Sequence, residues 1–154
     1  MEFTISRHVA APPDFVVEWW LAHGPGRDEN SPDLTRTSRT LPTGQLQIVL
    51  EGTVGSRRVR HDGVLTRETP GRWSYRTEVW SNGRLIVREQ ANSEVRTERD
   101  GARLTCTYFV TPVGALPRFA FGTGAGRLRR QREEAFALYL AALERAYAAA
   151  RREA

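Results

Sequence analysis

The chain has 154 residues, 40% hydrophobic and 27% charged, a composition that excludes a disordered or fibrous protein and fits one globular domain over residues 1–154. Its net charge is +5, yet all 23 basic side chains are arginine, and they are spread along the chain, which argues against a nucleic-acid-binding patch. One cysteine, Cys106, and three histidines without a metal-binding spacing leave neither an internal disulfide nor a metal site to expect.

The first element is a strand, because "FTISRHV" (3–9) alternates Phe3, Ile5 and Val9 with Thr4, Ser6 and His8. The Pro12-Pro13 pair then opens a short amphipathic helix from about Pro13 to Ala22, in which Phe15, Val16, Trp19 and Trp20 recur at helical spacing. Trp19 and Trp20 are adjacent and cannot both face inward. The stretch "HGPGRDENSPD" is turn-rich, with room for one further helical turn at most.

From there to Pro112 the pattern has period two. The predicted strands are Leu34–Leu41, Gln45–Val54, Arg57–Arg67, Trp73–Trp80, Leu85–Arg99 and Arg103–Thr111. Short turn-formers separate them, and Asn82-Gly83 and Asp100-Gly101 suit tight hairpins. Six hairpin-linked strands make an antiparallel meander. The longest helix is predicted last, from about Gly126 to Arg152, with Leu128, Phe136, Tyr139, Leu143, Ala146 and Ala150 as its apolar stripe. This order is an α+β plan rather than alternating βαβ units.

No apolar run approaches the roughly 18 residues of a membrane span, and "MEFTISRHV" lacks a signal-peptide layout, so the expected location is the cytoplasm. The segment "RFAFGTGAGRLRR" (118–130) has three alternating glycines ahead of arginines, as a phosphate loop does. Its spacing fits neither GxxxxGK[ST] nor GxGxxG, there is no lysine, and the setting is a meander. The expectation is a connection in which Gly122, Gly124 and Gly126 supply backbone freedom, either as hinges of a lid or as a loosely ordered entry to the long helix.

Three stretches carry a family resemblance: "ISRHVAAPPDFVVEWWLAH", "DGARLTCTYFVTP" and the closing amphipathic helix. Over essentially the whole chain this order resembles the START-like (SRPBCC) superfamily, which includes polyketide cyclase/dehydrase-type proteins. The resemblance implies a helix-grip fold: a seven-stranded antiparallel sheet wrapped around a long C-terminal helix, with one or two short helices after the first strand. It also implies an apolar cavity between them for a lipid, isoprenoid or polyketide-like small molecule, and no cofactor. The partner expected is thus a hydrophobic small molecule; a homodimer is left open.

In such a fold, strand alternation assigns the cavity wall. The candidate ligand-binding residues are Trp20, Leu50, Val59, Leu65, Trp73, Tyr75, Thr77, Val87 and Cys106, then Phe119 and Phe121 at the mouth, and Phe136 and Tyr139 on the last helix. Leu85, Ala91 and Val95 are assigned to the inner face by the same alternation. His61, Glu89 and Tyr108 are polar positions on that face and the candidate catalytic set: a carboxylate against apolar surroundings as general acid, the imidazole as base, and a tyrosine hydroxyl donating to an enolate. The alternative for Glu89 is a pairing with an arginine near the sheet edge, and for His61 and Tyr108 a plain structural place. Three functions follow: binding a hydrophobic molecule; a polyketide cyclase/aromatase-like enzyme in the same cavity; or an RNA- or ribosome-interacting protein, against which the dispersed arginines count.

Overall fold

The computed structural model describes residues 1–23 and 33–153, the side chains of 115–123 and 125 excepted. The elements are β1 (Glu2–Val9), α1 (Pro13–His23), β2 (Leu34–Thr40), β3 (Leu46–Val54), β4 (Arg57–Thr69), β5 (Arg72–Ser81), β6 (Arg84–Glu98), β7 (Gly101–Pro112) and α2 (Ala115–Glu153). The seven strands form one antiparallel sheet in the order β1-β7-β6-β5-β4-β3-β2. This is the α+β architecture expected from the pattern. The turn-rich segment after α1 lies outside the described residues.

Turn chemistry sets the hairpins. Asn82 (φ 50°) and Gly83 (φ 76°) both take left-handed backbone, as the tight turn between β5 and β6 requires. The Asn82 side chain also accepts a hydrogen bond from the Arg58 N–H at 2.9 Å, tying that turn to the start of β4.

The core lies on one face of the sheet, under both helices. Phe136, Leu140 and Leu143 recur at four- and three-residue steps on α2 and are buried against Val16, Val17 and Trp20 of α1 and Phe3, Ile5, Leu104 and Val110 of the sheet. Trp73, 2% exposed, is the largest fully buried side chain. Such burial is worth roughly 1.5–3 kcal/mol for each large side chain.

Two expectations need correction. The first concerns the glycines: α2 begins at Ala115, so Gly122, Gly124 and Gly126 lie within a 39-residue helix and not in a lid loop. Gly114, at φ 96°, breaks the strand direction just before it. Pro117 falls in the first turn, where its missing N–H costs no hydrogen bond. The second concerns Leu85. A register shift after Val79 pairs Trp80 with Leu85 and Val79 with Val87, and Ile86, not Leu85, packs against the core. A bulge of one residue reverses the faces of everything beyond it.

Candidate functional site

Between the sheet and α2 lies a cavity of about 340 Å³. Its floor comes from inward-facing positions on β3 to β7, and its roof from Arg132, Ala135, Phe136 and Tyr139 of α2, with Trp20 of α1 at one side. A wider, open depression of about 590 Å³ lies on the opposite face, among Asp62, Arg76, Glu78 and Arg88. Ligand sites are enclosed and largely apolar, so the inner cavity is the candidate.

One side of this cavity is aromatic. Trp20 contacts Trp73, Phe136 and Tyr139, with ring centroids 6.2, 5.6 and 5.8 Å apart and the planes tilted. These are the tilted arrangements that aromatic quadrupoles prefer. Trp19 stacks on His23 instead, which settles the choice between the two adjacent tryptophans.

The other side is polar. Glu89 points inward from β6 with its side chain 7% exposed, and Arg132 Nη2 donates to its Oε2 at 2.7 Å. The general-acid role assumed a carboxylate alone among apolar groups, and that premise does not hold. An arginine does pair with Glu89, as the alternative had it, but from α2 rather than the sheet edge. Tyr75 and Tyr108 have hydroxyl pKa values raised above the ordinary tyrosine range, in each case chiefly by burial. Both remain neutral hydrogen-bond donors. Tyr108 is further fixed by stacking on Phe3, 5.0 Å between centroids.

A missing side chain shapes the polar end. Gly63 on β4 faces inward, and the Tyr75 phenol occupies the space above it: a Cβ at residue 63 would overlap the hydroxyl. On the floor, Ser93 Oγ and Cys106 Sγ lie 3.0 Å apart. Burial pushes the Cys106 thiol up to about 12, so it is a neutral lining group and not a nucleophile.

Of the candidate ligand-binding residues, Trp20, Leu50, Val59, Trp73, Tyr75, Thr77, Cys106, Phe136 and Tyr139 border this cavity, as do His61, Glu89 and Tyr108. Leu65 and Val87 sit in the packed core instead. Phe119 and Phe121 lie outside the residues whose side chains are described. Sequence reasoning missed Leu34, Val54, Ser93, Arg132 and Ala135, which also line the cavity. Arg132 was detectable, since it precedes Phe136 by one helical turn and so shares its face. Ser93 lies between Ala91 and Val95 on the inner alternation, so strand parity marks it. Among the described residues, no three His, Cys, Asp or Glu side chains cluster to hold a metal ion, and no helix is long and apolar enough to cross a membrane.

Solved structures resemble this one over nearly its full length. The Zhui aromatase/cyclase from a Streptomyces species matches with a TM-score of 0.67 at 17% identity, over 94% of each chain. The di-domain aromatase/cyclase StfQ of the steffimycin biosynthetic pathway matches with a TM-score of 0.66 at 15% identity, over 99% of this chain and 52% of that one. A Thermus thermophilus protein matches with a TM-score of 0.63 at 17% identity, over 97% of this chain and 99% of that one. The likeness is one of fold. No family model matches the sequence, and no curated protein matches it.

Proposed function

We propose that the chain is a START-like ligand-binding domain over residues 1–154 that holds a hydrophobic, polyketide-like small molecule between its sheet and α2. The observation that carries this reading is the partly enclosed cavity of about 340 Å³, walled by aromatic side chains and carrying a few inward polar groups. That combination is what small-molecule sites have: apolar surface for affinity and a few fixed polar groups for orientation. The aromatase/cyclase neighbours support a polyketide-like ligand by likeness of fold. Native mass spectrometry of the purified protein tests the reading: a co-purified apolar adduct that disappears on unfolding is expected. Bare protein alone, with no apolar probe able to bind, would sink it.

A second reading, an aromatase/cyclase-type enzyme, is favoured by one feature. His61, Tyr75, Glu89, Tyr108 and Arg132 converge on the same cavity. In that reading the neutral tyrosines donate to a carbonyl as it becomes an enolate, His61 moves the proton, and Glu89 positions the Arg132 guanidinium. Turnover of a synthetic poly-β-ketone is the assay, and unchanged rates in Glu89→Gln and His61→Ala would remove this reading.

A further inference from the structure

The cavity wall carries charge in a matched pair, since Glu89 faces Arg132. A second arginine lies beside the same region with no such match among the described residues. Arg36 on β2 pairs with Leu50, which pairs with His61 on β4, so all three share the inner face in one cross-strand row. Leu50 and His61 both line the cavity. Arg36 is half-buried, and its Nε is buried with no hydrogen-bond partner among the described residues. Its charge acts on the Tyr75 hydroxyl, as that of Arg132 does.

A buried guanidinium N–H without an acceptor bears the full cost of its desolvation. Such a group in a folded protein calls for an acceptor from elsewhere. A neutral carbonyl would satisfy the N–H but would not offset the charge, for which no carboxylate partner stands among the described residues, Glu89 being engaged by Arg132. An anionic oxygen would answer both needs, and the guanidinium fork fits a carboxylate in particular.

We propose that Arg36 receives the carboxylate of the bound molecule, so that the ligand is an apolar acid rather than a neutral lipid. This rests on the cavity reading above and adds the chemical class of the occupant. The apolar body lies against Trp20, Trp73 and Phe136. The head group points to Arg36, with Tyr75 as an additional neutral donor.

The probes are 2-naphthoate and methyl 2-naphthoate, which share an apolar body and differ in charge. They are titrated calorimetrically at pH 7 against the wild-type protein, Arg36→Gln and Arg36→Lys. Wild-type protein should bind the acid about tenfold or more tighter than the ester, the scale expected of one charge-assisted contact. Arg36→Gln should lose that preference while keeping its affinity for the ester, which reports an intact cavity, and Arg36→Lys should retain a preference for the acid. Equal affinity of the wild type for acid and ester would overturn the inference and leave the cavity reading standing. Equal loss of both probes in Arg36→Gln would also overturn it. Binding of neither probe to the wild type would contradict the cavity reading and this inference together.

Discussion

The two faces of the sheet use charge in opposite ways. On the outer face, Arg60 pairs with Glu51 and Asp62, Arg72 and Arg96 both pair with Glu94, and Arg88 pairs with Glu78, with the arginines exposed and Asp62 and Glu94 half-buried. On the inner face, Glu89 pairs with Arg132 at 2.7 Å, and the carboxylate is almost fully buried. Exposed pairs exchange one set of good contacts with water for another, so they contribute little. A buried pair cannot fall back on water, so losing one partner leaves the other stranded. The lesson is that most of the arginine pairs sit on solvated surface, while Arg132 is turned inward onto a buried carboxylate.

The comparison is broken most severely by emptying the inner face itself. Phe136 is 2% exposed, and Phe136→Ala should cost roughly 3–5 kcal/mol, read by urea or thermal denaturation.

Alkaline pH attacks the same face. Tyr75, Tyr108 and Cys106 all have folded pKa values raised by burial, the thiol to about 12. Groups of this sign bind protons more tightly when folded, so their contribution is intact below the unfolded pKa. It is lost as pH rises from about 9 through the folded values, and Cys106→Ala should flatten the early part of that decline in a pH series of melts.

The third effect concerns the buried pair. Arg132→Leu alone should destabilise by about 1.5–3 kcal/mol, a range set by one charged hydrogen bond, with Arg132 itself partly exposed. The double variant Glu89→Leu with Arg132→Leu should recover much of the loss, because no charge is then left buried. If the double variant is instead as unstable as the sum of the singles, the pair behaves like a surface one.

Smaller still are the helix glycines. A Cβ at Gly124 or Gly126 would meet nothing within 4 Å. Alanine at each should therefore stabilise by about 0.5–1 kcal/mol if the segment is helical, and not if it is a loop. Smallest is Arg88→Ala on the outer face, for which no change in melting temperature beyond error is expected at physiological salt.

Much of this architecture is legible in the residues. Period-two alternation with Asn82-Gly83 and Asp100-Gly101 places the strands within one or two residues, because hairpin turns and one-sided burial constrain a meander locally. The inner positions from Val59 to Val79 follow from parity alone. Parity fails at Leu85, where a bulge that no local residue announces shifts the register. The glycines of 122–126 misled for a related reason: low helix propensity is a weak prior, and here a helix starting at Ala115 runs through it. Leu65 and Val87 face the right way but are covered by core packing, which depends on how the helices lie and not on strand parity. Arg132 is the least legible of the lining residues, and the inward placing of Arg36 is equally hidden. Among 23 arginines nothing in composition marks two as inward; only strand register and helical phase against Leu50 and Phe136 do so.

If the space under α2 binds an apolar molecule, a side chain that fills it abolishes binding. Ala135 lines the cavity from α2, so Ala135→Phe should occupy the space with little change in the helix. Calorimetric titration of methyl 2-naphthoate should show saturable one-to-one binding to the wild type and none to Ala135→Phe at an unchanged melting temperature. Equal binding to both proteins would place the probe elsewhere and contradict the account.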